Sequence, residues 1–192
     1  MKRLILAAAL ALAAAPALAA PVAYRIDPSH TQTTFQVDRF GFTSILGAFT
    51  RAEGTIWIDE ADPARSRVEA WVETASLYAG DAAREDHLRG ERWLNAGANP
   101  TIRFVSTGVA LTGPGAADVT GDFTLNGVTR RVTLQVKLNK IGVAPGSNRQ
   151  SAGFTITGVV RRSDFNIAPK VPSTLIGDAV TIRIEALGVV QP

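Results

Sequence analysis

Residues 118–138 read DVTGDFTLNGVTRRVTLQVKL, and this stretch decides the fold class. Apolar residues alternate with polar ones both before and after Asn126-Gly127. A period of two is typical of a β-strand with one buried face, because successive side chains point to opposite sides of a sheet. Asn-Gly is typical of a two-residue hairpin turn, since both positions need a positive φ. The stretch therefore predicts an antiparallel β-hairpin with one apolar face.

The same alternation recurs on both sides of this hairpin. It is regular in residues 67–73, 154–161 and 180–186, and less regular in residues 35–37, 49–58 and 102–111. Residues typical of turns separate these runs at 59–63, 113–115 and 144–148. We expect about eight strands, with one interrupting helix near residues 81–94 whose N-cap is Asp81.

Strands of this kind must bury their apolar faces, and the pattern leaves few ways to do so. Regular alternation favours antiparallel pairing, since parallel strands are usually apolar on both faces. One predicted helix cannot cover the sheet, so the sheet either closes on itself or folds into a sandwich. We predict an all-β, eight-stranded antiparallel barrel, because closure removes exposed edges; a sandwich is the alternative. An eight-stranded barrel either fills its interior with side chains or holds one small ligand there.

The first residues have the layout of a secretory signal. Lys2 and Arg3 precede an apolar run over residues 4–15, and Ala17-Leu18-Ala19 supplies the small residues of a cleavage site. The run is too short for a membrane span, which needs roughly 20 residues. We expect residues 1–19 to be a signal peptide cleaved after Ala19, residues 20–192 to form one barrel domain, and the mature protein to be periplasmic.

Charge and residue types exclude several classes of function. Lys2 and Arg3 leave with the signal and no acidic residue does, so the net charge of +3 falls to +1. A nucleic-acid partner is not expected, because such proteins concentrate positive charge on one face. Cys is absent and only two His occur. We therefore expect neither a disulfide nor a metal site.

Six motifs in fixed order carry a family resemblance. They are Tyr24-x-x-Asp27-Pro28-x-His30, Gly41-Phe42-x-x-x-x-Gly47-x-Phe49, Asp86-His87-Leu88-Arg89, Pro100-x-Ile102-x-Phe104, Gly121-x-Phe123-Thr124-Leu125-x-Gly127 and Arg162-Ser163-Asp164-Phe165-x-Ile167. Through them the chain resembles the YceI-like family, bacterial proteins of extended lipocalin-like fold described as polyisoprenoid-binding. The resemblance implies a barrel that holds a lipid tail, with the polar end of the lipid near the mouth. Asn166 stands where the family usually has Gly, and Asn also tolerates a left-handed backbone.

Inward-facing apolar residues are the candidates for contact with such a lipid. Strand alternation and the family motifs together give Phe35, Val37, Phe42, Phe49, Val72, Trp93, Phe104, Phe123, Leu134, Phe154, Ile156 and Phe165. The alternative is that they simply pack the core. Glycines on the inward face favour a cavity, because they leave space: Gly47, Gly54, Gly121 and Gly158.

His87 and Arg162 are the candidates for the polar end of the lipid. A guanidinium fork suits phosphate oxygens, although Arg162 is equally compatible with a structural corner that satisfies backbone groups. Catalysis is not expected: Ser29 and His30 are adjacent, and neighbours on a strand point to opposite faces. We predict no catalytic residues and no cofactor other than a bound lipid.

The sequence thus favours a periplasmic carrier that shields a long apolar lipid from water. The lipid is an isoprenoid, a quinone-like molecule or a fatty amide or acid. Two alternatives remain: a structural or stress-response module with a filled barrel, and a lipocalin-like isomerase or cyclase. The expected partner is a small-molecule lipid, with transient contact to a membrane or membrane protein, and the expected state is a monomer or homodimer.

Overall fold

The computed structural model describes residues 20–191, so the predicted signal peptide, residues 1–19, lies outside the described residues. The strands are β1 (Val22–Ile26), β2 (Gln32–Arg39), β3 (Thr43–Phe49), β4 (Ala52–Ile58), β5 (Arg67–Glu73), β6 (Leu77–Tyr78), β7 (Thr101–Gly113), β8 (Ala116–Leu125), β9 (Val128–Ala144), β10 (Arg149–Arg161) and β11 (Ile176–Val190). One α-helix, α1 (Ala82–Arg89), lies between β6 and β7. None of the helices in this part of the chain is long and apolar enough to cross a membrane.

Eight of these strands form a closed ring. The antiparallel order is β1-β4-β5-β7-β8-β9-β10-β11, and β11 pairs back onto β1 with Tyr24 opposite Val190. This closure confirms the predicted all-β, eight-stranded antiparallel barrel and excludes the sandwich. The first and last strands therefore meet at the seam.

The remaining strands prolong the ring at one end. β11 pairs with β1 through residues 188–190 and with β2 through residues 176–185. β2 follows β1 after a 3₁₀ turn at Pro28–His30, and β3 precedes β4 across Thr50 and Arg51. The strand predicted over residues 49–58 is therefore interrupted. β3 pairs with β2 and β4 pairs with β1, and the chain bends between them where its pairing partner changes.

The predicted Asn126-Gly127 hairpin is confirmed. Asn126 has φ of 50° and Gly127 has φ of 73°, and Leu125 pairs with Val128 across the turn. Two positive φ values define the type I′ turn, whose twist matches that of the strands. Asn166 also adopts the left-handed conformation, with φ of 55°, and so keeps the turn where the family usually has Gly.

The predicted helix begins as expected but ends early. Asp81 caps it by accepting a hydrogen bond from the Arg84 amide at 2.8 Å. The helix ends at Arg89, because Gly90 turns extended with φ of −65° and ψ of 165°. Trp93 and Leu94, which the prediction included, lie in the turns that follow.

An apolar cluster lies at the end of the barrel nearest α1. Its buried members are Ile102, Leu125, Val160, Phe165 and Ile167, with Trp93 and Leu94 packed against them. Ile102 is near the start of β7, whereas Leu125 and Val160 are near the ends of β8 and β10. Antiparallel pairing brings these three positions to one end of the barrel.

Candidate functional site: an apolar cavity inside the barrel

The barrel encloses an apolar cavity of about 250 Å³. Ten of the residues predicted to contact a ligand line it: Phe35, Val37, Phe49, Val72, Trp93, Phe104, Phe123, Leu134, Ile156 and Arg162. Most stand on the inward parity of β2, β5, β7, β8, β9 and β10. Side chains therefore do not fill the interior, whereas they would fill it in a barrel that serves only as a structural module.

Three of the predicted apolar residues lie elsewhere. Phe42 is 93% exposed, because it follows the tight turn at Phe40 and Gly41 that joins β2 to β3. Phe154 is the β10 residue next to a register shift in the β9–β10 ladder, which falls between Gly153 and Phe154, and it does not border the cavity. Phe165 is buried in the apolar cluster, edge-on to Phe123 at 5.5 Å between ring centroids.

His87 also lies outside the cavity lining. It is exposed on α1, and its Nε2 accepts a hydrogen bond from Nε1 of Trp93 at 2.8 Å. The two rings lie 5.6 Å apart. His87 therefore orients Trp93, which lines the cavity, and does not itself reach the lumen.

Other lining residues escaped the sequence reasoning. They include Ile26, Thr31, Thr33, Ile56, Val68, Leu88, Leu94, Val119, Val136, Val180, Ile182 and Ile184. The β11 residues Val180, Ile182 and Ile184 have the same alternation as the predicted ones and were within reach of that signal. Thr31 and Thr33 were not predicted, because polar side chains are not expected to line an apolar cavity. Leu88 reaches the cavity from α1, and only the position of the helix against the barrel shows this.

The inward glycines do not leave empty space. A Cβ built on Gly121 would lie 2.5 Å from Cζ of Phe104, and one on Gly158 would lie 2.5 Å from Cδ2 of Leu134. At Gly47, Gly121 and Gly158 a neighbouring large side chain therefore lies against the wall, whereas at Gly54 the neighbouring strand lies there, with Cα of Ala70 2.7 Å from a built Cβ. The space of the cavity is what remains beside these side chains.

Arg162 does not serve as an anion contact. It is 4% exposed, and its guanidinium donates five hydrogen bonds to backbone carbonyls. The acceptors are the carbonyl oxygens of Gly177, Ile167, Ala168, Val171 and Ile176, at 2.6 to 3.2 Å. A guanidinium has five N–H groups, so no donor is left for a phosphate. Arg162 instead holds the corner after β10, as the structural alternative predicts.

Two other charged residues border the cavity but face away from it. Glu53 and Arg103 are exposed and lie in direct register with Trp71 on β5. Val72 is the next residue along β5 and lines the lumen. Since neighbours on a strand point to opposite faces, Glu53 and Arg103 point outward. Over residues 20–191, the lumen therefore meets one charged side chain, that of Arg162, and its donors are all used.

Ser29 and His30 are not on a strand, contrary to expectation. They lie in the 3₁₀ turn between β1 and β2, and both contact the carboxylate of Asp27. Ser29 Oγ donates to Asp27 Oδ1 at 2.6 Å, and His30 Nδ1 lies 2.8 Å from Asp27 Oδ2. These hydrogen bonds, that from Ser29 above all, hold the pKa of the Asp27 carboxyl below its ordinary value. The Ser29 hydroxyl is engaged with the carboxylate, so the trio caps a turn and does not activate a nucleophile.

No group of three or more His, Cys, Asp or Glu side chains that could hold a metal ion occurs among the described residues.

Comparisons with known proteins agree with this architecture. Residues 24–187 match the YceI-like domain. The chain is similar to the protein YceI of Escherichia coli O157:H7, with 38% identity over 162 residues that cover 83% of each protein. The fold is similar to that of BcnA from Burkholderia cenocepacia, with a TM-score of 0.77 and 23% identity over 84% of this chain and 98% of BcnA. It is also similar to a polyisoprenoid binding domain from Saccharophagus degradans implicated in plant cell wall breakdown, with a TM-score of 0.67 and 12% identity over 88% and 99% of the two chains.

Proposed function

This chain belongs to the YceI-like family, and from that premise we propose that it takes the apolar tail of one lipid into its barrel and carries the lipid through the periplasm. The observation that carries the proposal is a closed barrel around an apolar cavity of about 250 Å³. The similarity to a polyisoprenoid binding domain favours an isoprenoid tail. A quinone-like or fatty tail has the same apolar chemistry.

Burial of the tail alone accounts for useful affinity. Each methylene moved out of water contributes about 0.8 kcal/mol. Ten of them contribute roughly 8 kcal/mol, which corresponds to micromolar binding before the cost of ordering the tail. The protein therefore does not need a strong headgroup contact, in keeping with the full use of the Arg162 donors by backbone carbonyls.

The size of the cavity limits the ligand to one tail. Pockets for drug-sized ligands usually measure about 300–1,000 Å³, and this cavity is smaller. A lipid with two acyl chains would leave one of them in water. We therefore propose a single-tailed ligand whose polar end stays outside the lumen.

A carrier role fits the lining better than an enzymatic one. General acid–base catalysis needs a titratable group within hydrogen-bond reach of the reacting atoms. The lining is almost wholly aliphatic and aromatic, and its one inward charge is bound by five carbonyls. Besides Arg162, the inward polar side chains of the lining are threonines. Such a surface binds and shields a hydrocarbon but offers it no carboxylate, imidazole or amine as a general acid or base.

The test is the content of the barrel after export. The full chain, produced in a Gram-negative host and isolated from the periplasm, is examined by native mass spectrometry and by solvent extraction. We expect a mature protein that begins at Ala20 and carries one lipid per chain. An empty protein that also fails to take up added farnesol or palmitic acid would refute lipid binding, and an unprocessed chain in the cytoplasm would refute the periplasmic role.

A further inference from the structure

At one level of the sheet, a row of inward residues has a glycine at each end and two large residues between them. Gly47 on β3 pairs directly with Phe35 on β2, Phe35 pairs with Ile182 on β11, and Ile182 pairs with Gly158 on β10. These four residues form one row across four adjacent strands. Phe35 and Ile182 line the cavity.

Both glycines of this row lie beneath a large neighbour. A Cβ on Gly47 would lie 2.5 Å from Cε1 of Phe35, and one on Gly158 would lie 2.5 Å from Cδ2 of Leu134. Real Cβ atoms do not approach other carbons this closely, since carbon atoms are in optimal contact at about 3.5–4.0 Å. The Phe35 ring and the Leu134 side chain can therefore lie flat against the wall only because these positions lack a side chain.

We propose that Gly47 and Gly158 determine how long a tail the barrel accepts. This inference rests on the proposed function, because it concerns the same cavity and its apolar ligand. With both large side chains against the wall, the lumen stays open past this row. A tail can then extend from one half of the barrel into the other.

A methyl group at either position would move the large side chain inward. The sheet backbone lies behind the row, so the displaced side-chain atoms can move only into the lumen. The neighbours along the row are Phe35 and Ile182, which already occupy the adjacent wall. A single methyl group thus acts as a stop that shortens the accessible part of the cavity while leaving its remaining lining unchanged.

The test is the dependence of affinity on tail length in the full mature chain. Gly47→Ala and Gly158→Ala are compared with wild type for straight-chain alcohols from octanol to octadecanol, by displacement of a fluorescent fatty-acid probe. We expect equal affinity for the shortest alcohols that bind and a loss for the longer ones. The loss should be roughly tenfold for every two methylenes that can no longer enter.

The chain provides a matched control on the same strand as Gly158. Gly153 has nothing within 4 Å of a built Cβ, so Gly153→Ala should bind the whole series as wild type does. Gly121 is unsuitable, because its Cβ would also lie 2.5 Å from the backbone oxygen of Val105. Shortening the displaced side chain supplies a rescue: Gly158→Ala combined with Leu134→Ala should again bind long alcohols.

The outcomes separate this inference from the proposed function. If wild type binds none of the alcohols, the lipid-binding proposal fails. If wild type binds them and both variants retain its length dependence, the role of the glycines is wrong while lipid binding stands. An equal loss at every length, without rescue by Leu134→Ala, would mean that the glycines matter for folding only and would also overturn the inference.

Discussion

Arg162 donates all its N–H groups to five backbone carbonyls at the corner that follows β10. The same fork geometry that suits a phosphate also suits a cluster of carbonyl oxygens. The sequence could therefore place an arginine at this point but could not decide between the two acceptors. The decision depends on the path of residues 167–177, which no local pattern specifies.

Replacing Arg162 by Met should destabilise the fold without a specific effect on ligand charge. Met keeps the apolar stem but leaves five carbonyls without their donor, and we expect the free energy of unfolding to fall by about 3 kcal/mol or more. Denaturant titration measures this, with the exposed neighbour substitution Arg161→Met as control. Unchanged stability together with weaker binding of prenyl phosphates, but not of prenyl alcohols, would instead restore an anion-binding role.

Asp27 provides a prediction on pH dependence. Its carboxyl has a lowered pKa in the folded protein, chiefly because Ser29 Oγ donates to it. A lowered pKa adds stability that is present above the unfolded value of about 3.9 and is lost as the pH falls through the folded value. Ser29→Ala should raise the pKa of Asp27 and reduce stability at neutral pH, and its difference from wild type should shrink in acid.

NMR titration of the Asp27 carboxyl and denaturation as a function of pH measure the two effects. Ser173→Ala, at an exposed loop position, is the control. The prediction is wrong if Ser29→Ala does not change the pKa of the Asp27 carboxyl.

The sequence predicts those elements whose structure depends on neighbouring residues. It does not predict those that depend on which distant strand the chain pairs with. The β8–β9 hairpin was predictable, because Asn126-Gly127 and the alternation around it act over a few residues. The break at Thr50 and Arg51 was not, because it arises where the chain changes its pairing partner. The exposure of Phe42 escaped for a similar reason: a pattern of apolar residues does not show that a turn with φ of 59° at Phe40 precedes it.

The start of α1 depends on one side chain. Asp81→Ala removes the carboxylate that accepts from the Arg84 amide, and we expect a loss of about 1 kcal/mol. Hydrogen exchange of the Arg84 amide should accelerate, since its acceptor is gone. Asp81→Asn keeps an acceptor oxygen and should stay close to wild type. Equal losses for both substitutions would show that charge, and not the hydrogen bond, stabilises this end of the helix.

Closure of the barrel followed from the sequence, but the volume inside it did not. Alternation identifies which side chains point inward, and ten of the predicted residues do line one cavity. Whether they meet in the middle depends on where each lies relative to the small residues beside it. Phe35 and Leu134 lie over Gly47 and Gly158, and this relation requires the register between strands.

Ligand binding should stabilise the whole barrel. A ligand at a hundred times its dissociation constant adds about 2.7 kcal/mol when it binds only the folded state. For a domain of this size the midpoint of thermal unfolding should rise by roughly 5–10 °C. Thermal scans with farnesol measure this, and a short alcohol such as butanol, with little surface to bury, is the control. A midpoint that farnesol does not change would contradict binding within the barrel.

The seam between β1 and β11, where Tyr24 faces Val190, has a consequence for biosynthesis. Contacts between the two ends of a polypeptide are the slowest to form, because the whole intervening loop must first be closed. A nascent chain that lacks β11 cannot complete the ring, so the finished fold arises only after β11 has been synthesised. Late closure is compatible with the proposed export, because a chain that has not yet closed its ring can still pass through a translocon.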